Sequence, residues 1–283
     1  MKTQNFYKVL VILFMMFSAT ACKKSDVKED EPLRATEIID EAYGISEKNK
    51  IDVYLPANRS DSTKVIILLH GGFWFEGDKN DVTAYAMYLR DKGFAVVNMN
   101  YRLTGTVENI HPAQQNDIAA VVDFISSKAT EWHVSPDKFG MLGVSAGAHL
   151  ALLYTYANNS TDKVKTVVSV AGPTNLTEIE AVTQQALAVY ALLGQTYNEN
   201  PSLYIQASPI AKVSSLSKPT LILHGRLDMV VPIEQSESLA AKLTQLNVKN
   251  KFSIYGTGHE LLNASNTQEI FDEIEFWLKE NVK

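Results

Sequence analysis

From about residue 50 onward the chain alternates between short apolar runs and longer stretches in which apolar positions recur every three or four residues. Ile51-Asp-Val-Tyr-Leu55 alternates at period two, as a strand with two unlike faces does. Val65–Leu69, Ala95–Met99, Phe139–Val144, Val167–Ala171 and Thr220–Leu223 are apolar runs bounded by turn residues. That is the pattern of strands buried on both faces of a parallel sheet. Lys251–Tyr255 reads as a further strand. Between these runs the periodicity predicts helices near Val82–Lys92, Pro112–Ala129, Ala146–Tyr156, Pro232–Leu246 and Gln268–Glu280. Strand–helix alternation with one early antiparallel strand predicts an α/β domain with a mostly parallel central sheet and helices on both faces. Residues 173–215 depart from the rhythm, inserting helix-like material such as Leu176–Leu193 between two strands. At the C-terminal side of the sheet such an insertion is a cap or pocket wall; for its outer half a peripheral helical bundle fits equally well.

The N-terminal end follows a different pattern. Lys2 and Lys8 precede an unbroken apolar run, Val9–Phe17, and small residues follow at Ser18-Ala-Thr-Ala21. The run is too short to span a bilayer, so residues 1–21 read as a signal peptide. Cys22, the only cysteine in the chain, comes next. Ala19-Thr-Ala-Cys22 resembles a bacterial lipobox that lacks the usual leucine three residues before the cysteine, which makes Cys22 the candidate lipid anchor. Residues 22–35 then read as a charged, solvated tether and 36–283 as one α/β domain. The expected location is outside the cytoplasm, membrane-anchored, periplasmic or at the cell surface, with no disulfide framework. Removing residues 1–21 takes away two lysines and no acid, moving the net charge from −6 to −8. An acidic chain without a basic stripe argues against a nucleic-acid partner.

Gly143-Val-Ser145-Ala-Gly147 falls between a predicted strand and a predicted helix. A serine in that sharp turn has its hydroxyl pushed out at the top of the sheet, the arrangement of a nucleophile elbow. Alone the pattern is weak, since chance supplies it readily. A nucleophilic serine also needs a base and an acid that orients the base, in the chain order serine, acid, histidine. His70, His111 and His133 precede the serine. His149 lies one helical turn after it and reads as a packing or pocket-wall residue. His224 ends a strand and reads as a brace for the following turn. His259, in the glycine-flexed loop Gly256-Thr-Gly-His-Glu260, is the candidate base. Asp228 follows the strand Thr220–Leu223 and precedes Pro232, which places it across from the serine as the candidate acid. Asp272 and Glu273 fall in the amphipathic last helix and read as solvated. The candidate catalytic set is therefore Ser145, Asp228 and His259. Its oxyanion hole is expected at the backbone N–H groups of Ala146, Gly72 and Phe73, the last two from the loop His70-Gly-Gly-Phe-Trp74. His70 is expected to hold that loop.

With these motifs, Asn100-Tyr-Arg-Leu103 and Pro112-Ala-Gln114 with Asp117, residues 36–280 resemble the α/β-hydrolase superfamily. The resemblance is to its small carboxylesterases of the hormone-sensitive-lipase and carbohydrate-esterase type. It implies the α/β-hydrolase fold, structural roles for Arg102 and Asp117 as an ion pair, and two-step acyl transfer with no cofactor and no metal. Phe73 stands where many relatives have a third glycine, so a bulky ring is expected near the acyl pocket, with Trp74 and His149 as further pocket candidates. Phe75 and Tyr101 could serve as a pocket lining or sugar platform. The expected substrate is a small ester or acylated saccharide, with acetyl or feruloyl groups on polysaccharide fragments as the reading for an exported enzyme. His70-Gly-Gly-Phe-Trp74 also resembles the motif of kynurenine formamidases, so an arylformamidase is the alternative. A hydrolase-fold binding protein without catalysis is the reading from another class; it fits less well with a complete set of three.

Overall fold

The computed structural model describes residues 32–105, 108–179, 183–262 and 265–283. The expected signal peptide, Cys22 and the expected tether up to Glu31 lie outside the described residues. Within Pro32–Lys283, which forms a compact unit by itself, eight strands make one sheet. They are β1 (Thr36–Ala42), β2 (Lys50–Leu55), β3 (Val65–Leu69), β4 (Ala95–Met99), β5 (Phe139–Val144), β6 (Val164–Val170), β7 (Thr220–Gly225) and β8 (Asn250–Tyr255). Their order across the sheet is β1-β2-β4-β3-β5-β6-β7-β8. The β1–β2 and β2–β4 pairs are antiparallel and all others parallel.

Alternate residues of the strands face two separate cores, as the period-two geometry requires. Ile67, Leu69, Val97 and Met99 pack in one core with Ile118, Val121 and Ile125 of α2 (Ala113–Trp132). Leu150 of α3 (Ala146–Leu153) and Leu239 of α7 (Glu234–Gln245) join the same core. Ile66, Leu68, Val96 and Leu223 face the other way, against α1 (Thr83–Asp91) and α8 (Thr267–Asn281). Each fully buried Leu or Ile side chain contributes roughly 2 kcal/mol, and β3 and β4 are buried at every position. The expected mostly parallel sheet with helices on both faces is the architecture observed.

The structure departs from the expectations in two places. A second antiparallel strand, β1, pairs with β2, so the antiparallel edge has two strands where one was predicted. β1 is exposed or half-buried throughout and carries a register break between Ile38 and Glu41, leaving no apolar alternation to read. The helix-like stretch Leu176–Leu193 is also not one helix. A 3-10 turn at Leu176–Glu178 is capped by the Asn175 side chain, Ile179 is extended, and α4 (Gln184–Leu193) begins anew after Thr183 caps the Ala186 N–H. Two capping side chains start two separate turns. Two short helices, α5 (Pro201–Ala207) and α6 (Pro209–Lys212), complete the insertion.

Candidate active site

The C-terminal ends of β3, β5, β7 and β8 deliver His70, Ser145, the Asp228 loop and the His259 loop to one edge of the sheet. Ser145 joins β5 to α3 at φ 53° and ψ −117°, a left-handed conformation costing on the order of 1–3 kcal/mol for a non-glycine residue. Its backbone is held from both sides. Its N–H donates to Val170 O (2.8 Å), and its carbonyl accepts from the N–H groups of Ala148 (2.9 Å) and His149 (3.1 Å). The flanking glycines make this packing possible. A Cβ on Gly143 would lie 2.3 Å from Gly147 O, and one on Gly147 would lie 2.3 Å from His70 O.

Ser145, His259 and Asp228 stand in hydrogen-bonded sequence. His259 Nδ1 is 2.8 Å from Asp228 Oδ2 and Nε2 is 2.9 Å from Ser145 Oγ. An ionised carboxylate can only accept, so Nδ1 carries the proton and Nε2 offers its lone pair to the serine hydroxyl. Asp228 has no exposed side-chain surface. Burial alone would raise its pKa. Hydrogen bonds from His224 and His259 and from the Val231 N–H outweigh that and hold it well below the usual carboxylate range. Oδ1 accepts from the N–H groups of both Val230 and Val231 at 2.8 Å. His224 Nε2 lies between Val231 O (2.8 Å) and Asp228 Oδ2 (3.2 Å), while Ser236 Oγ meets Nδ1 at 2.7 Å. His224 therefore braces the acid loop. A neutral imidazole in such a chain can take the Ser145 proton and share the resulting charge with Asp228.

The loop after β3 lies against the elbow. A Cβ on Gly71 would be 3.3 Å from Ser145 Cβ, and Phe73, Trp74, Ser145 and Ala146 line one cavity. Gly72, Phe73 and Trp74 all have positive φ (107°, 49° and 65°). Phe73 thus holds, at a strain cost, a conformation that glycine takes freely. The loop's carbonyls are engaged: His70 O by Tyr101 Oη (2.9 Å), Gly72 O by the N–H groups of Phe75 and Glu76, and Trp74 O by the Thr104 N–H. Among the described residues, the N–H groups of Gly72, Phe73 and Ala146 have no acceptor. His70 donates from Nδ1 to Gly71 O (2.6 Å) and stacks on Tyr101. Burial lowers its pKa, so it holds the loop as a neutral ring.

Several pocket expectations are corrected. His149 does not reach the cavity; it is fully buried, because the Trp74 indole covers it. Trp74 Nε1–H donates to His149 Nδ1 (3.2 Å), and His149 Nε2–H donates to Ala207 O at the end of α5 (2.8 Å). Burial pulls the His149 pKa down to about 3. Tyr101 is likewise fully buried and forms no platform. Glu273 is not solvated, since it accepts from Ser253, Tyr255 and Lys251. The Arg102–Asp117 pair is present at 2.8 Å, with the Arg102 N–H also donating to Asp117 Oδ2. The rest of the cavity wall is Pro173, Ile179, Gln185 and Val231, so the insertion supplies the pocket wall expected of it, through residues the sequence did not single out. Three of the four lie in the insertion, far from Ser145 along the chain, where no motif marks them.

The BD-FAE family model matches residues 51–243, which carry the elbow, the β3 loop and the Asp228 loop. The chain belongs to the BD-FAE family. This BD-FAE member is 23% identical over 258 residues to the isoprenylcysteine alpha-carbonyl methylesterase ICME of Arabidopsis thaliana, an alignment covering 82% of this chain and 60% of that protein. Among solved structures it resembles a truncated carbohydrate esterase from gut microbiota, with a TM-score of 0.76 and 24% identity over 88% of this chain and 98% of that one. It also resembles the bifunctional GH43-CE protein of Bacteroides eggerthii, with a TM-score of 0.76 and 26% identity over 86% of this chain and 38% of that one. The fold is the α/β-hydrolase fold. The chain spans about half to three-fifths of the length of the first curated relatives it matches.

Proposed function

We propose that this protein is a serine carboxylesterase that hydrolyses small acyl esters, with acylated saccharides as its substrate class. The observation that carries the reading is His259, hydrogen-bonded at once to Asp228 and to Ser145. His259 Nε2 takes the Ser145 proton as Oγ attacks the ester carbonyl. The oxyanion meets the N–H groups of Ala146, Gly72 and Phe73, each such donor being worth about 3 kcal/mol in the transition state. The protonated imidazole then gives its proton to the leaving alcohol. A water activated at the same nitrogen attacks the acyl-enzyme and releases the acid. Asp228 keeps the imidazole in the productive tautomer throughout.

The saccharide side of the reading draws support from the carbohydrate esterases among the similar structures. Export and lipid attachment at Cys22 rest on the N-terminal sequence. Ser145→Ala should abolish hydrolysis of p-nitrophenyl acetate and of acetylated xylan while leaving the circular dichroism spectrum and melting temperature intact. Undiminished activity in that variant would overturn the reading. N-formylkynurenine serves as the competing substrate, and faster turnover of it than of acetylated xylan would point to a formamidase.

A further inference from the structure

Two cavities meet at one side chain. The cavity beside Ser145 measures about 20 Å3 and is almost wholly apolar. A second, of about 500 Å3, lies on the insertion between the 3-10 turn at Leu176–Glu178 and α4, with Tyr190, Tyr197 and Tyr204 along it. Among the described residues Ile179 alone lines both.

The small cavity lies on the acyl side of the serine. The leaving oxygen must sit near His259 Nε2, which protonates it, and His259 is not part of the small cavity's wall. The acyl substituent therefore points away from His259, into that cavity. A cavity this narrow and apolar suits a short acyl chain better than a long one. Most of the wall is fixed. Trp74 is tied to His149, Gln185 Nε2 donates to Val230 O (2.6 Å), and Phe73 stacks on Phe75. Pro173 and Val231 are buried. Ile179 is half-buried, packs at the edge of the core, and borders the second cavity as well.

We infer that Ile179 is the partition that keeps the accepted acyl group short, and that removing its side chain opens the acyl pocket toward the insertion cavity. The inference rests on the esterase reading of Ser145. The test compares kcat/KM for p-nitrophenyl acetate and octanoate in the wild type, Ile179→Ala and Ile179→Val. The wild type should prefer acetate to octanoate by at least about tenfold, since a long chain meets a wall that is held on most sides. Ile179→Ala should raise the octanoate-to-acetate ratio at least about tenfold. Ile179→Val, the gentler change, should move it the same way by less, which keeps the test decisive if the alanine variant folds poorly. A wild type that takes octanoate as readily as acetate, or a ratio unmoved by both substitutions, overturns the partition. Labelling by a fluorophosphonate separates the two levels. If Ser145 neither labels nor turns over any ester, the esterase reading falls and the partition with it. If it labels but the ratio behaves otherwise, only the partition falls.

Discussion

Asp228 gathers donors from three directions: the two valine N–H groups of its own loop, His259, and His224 at the end of β7. The linkage has a definite sign. A carboxyl whose folded pKa is depressed contributes fully above the unfolded aspartate value of about 4, and its contribution drains away as pH falls toward the folded value. Urea unfolding of the wild type and Asp228→Asn should therefore show a stability gap that is smaller at pH 3 than at pH 5. A gap that held constant would mean the carboxylate charge is not what these donors stabilise. The same substitution should lower kcat by about ten-thousand-fold at neutral pH, because an amide donor toward Nδ1 favours the wrong tautomer. Ser145, Asp228 and His259 are legible in the sequence because each follows a strand end and their order is constrained. The Val230 and Val231 donors are not, since a backbone N–H looks the same in any loop. His149 misleads for a related reason. Its spacing from Ser145 is right for the same helix face, but the side chain that covers it comes from a loop 75 residues away.

At the scale of elements, the elbow and the β3 loop are one packed unit. The missing Cβ of Gly147 lets α3 start against His70 O, and the loop's carbonyls are tied to donors of the protein. Gly147→Ala should cost about 3 kcal/mol, since the new methyl meets backbone that cannot shift alone. Activity should fall further than the loss of folded protein explains, because the displaced loop carries Gly72 and Phe73. Thermal melts alongside active-site titration would separate the two losses. The buried strands and their following helices are legible because both faces of β3 through β7 are covered, so apolar runs mark them. β1 is silent because it is an exposed edge, and the break after Glu178 is silent because short polar caps, rather than a glycine or proline, make it.

For the whole molecule, the folded unit from Pro32 to Lys283 contains both cores and every residue of the candidate site. Attachment to a membrane would then rest on the segment before it. Cys22→Ala should leave ester hydrolysis unchanged while moving the protein from the membrane fraction to the soluble fraction and removing metabolic labelling by a radioactive fatty acid. Equal fractionation of the two forms would exclude Cys22 as the anchor.

The bridge from Trp74 through His149 to Ala207 bears on how such a protein could be re-engineered. An insertion transplanted from a relative between β6 and β7 would have to present a carbonyl where Ala207 stands, or strand the imidazole donor in a dry interior. The loss would appear at the opposite end of the bridge, as a loosened indole beside the oxyanion donors. Wholesale exchange of this segment therefore disturbs the oxyanion loop as well as the stretch of pocket wall that the segment supplies. Point changes at its pocket-facing positions leave the bridge alone and are the safer route to new specificities.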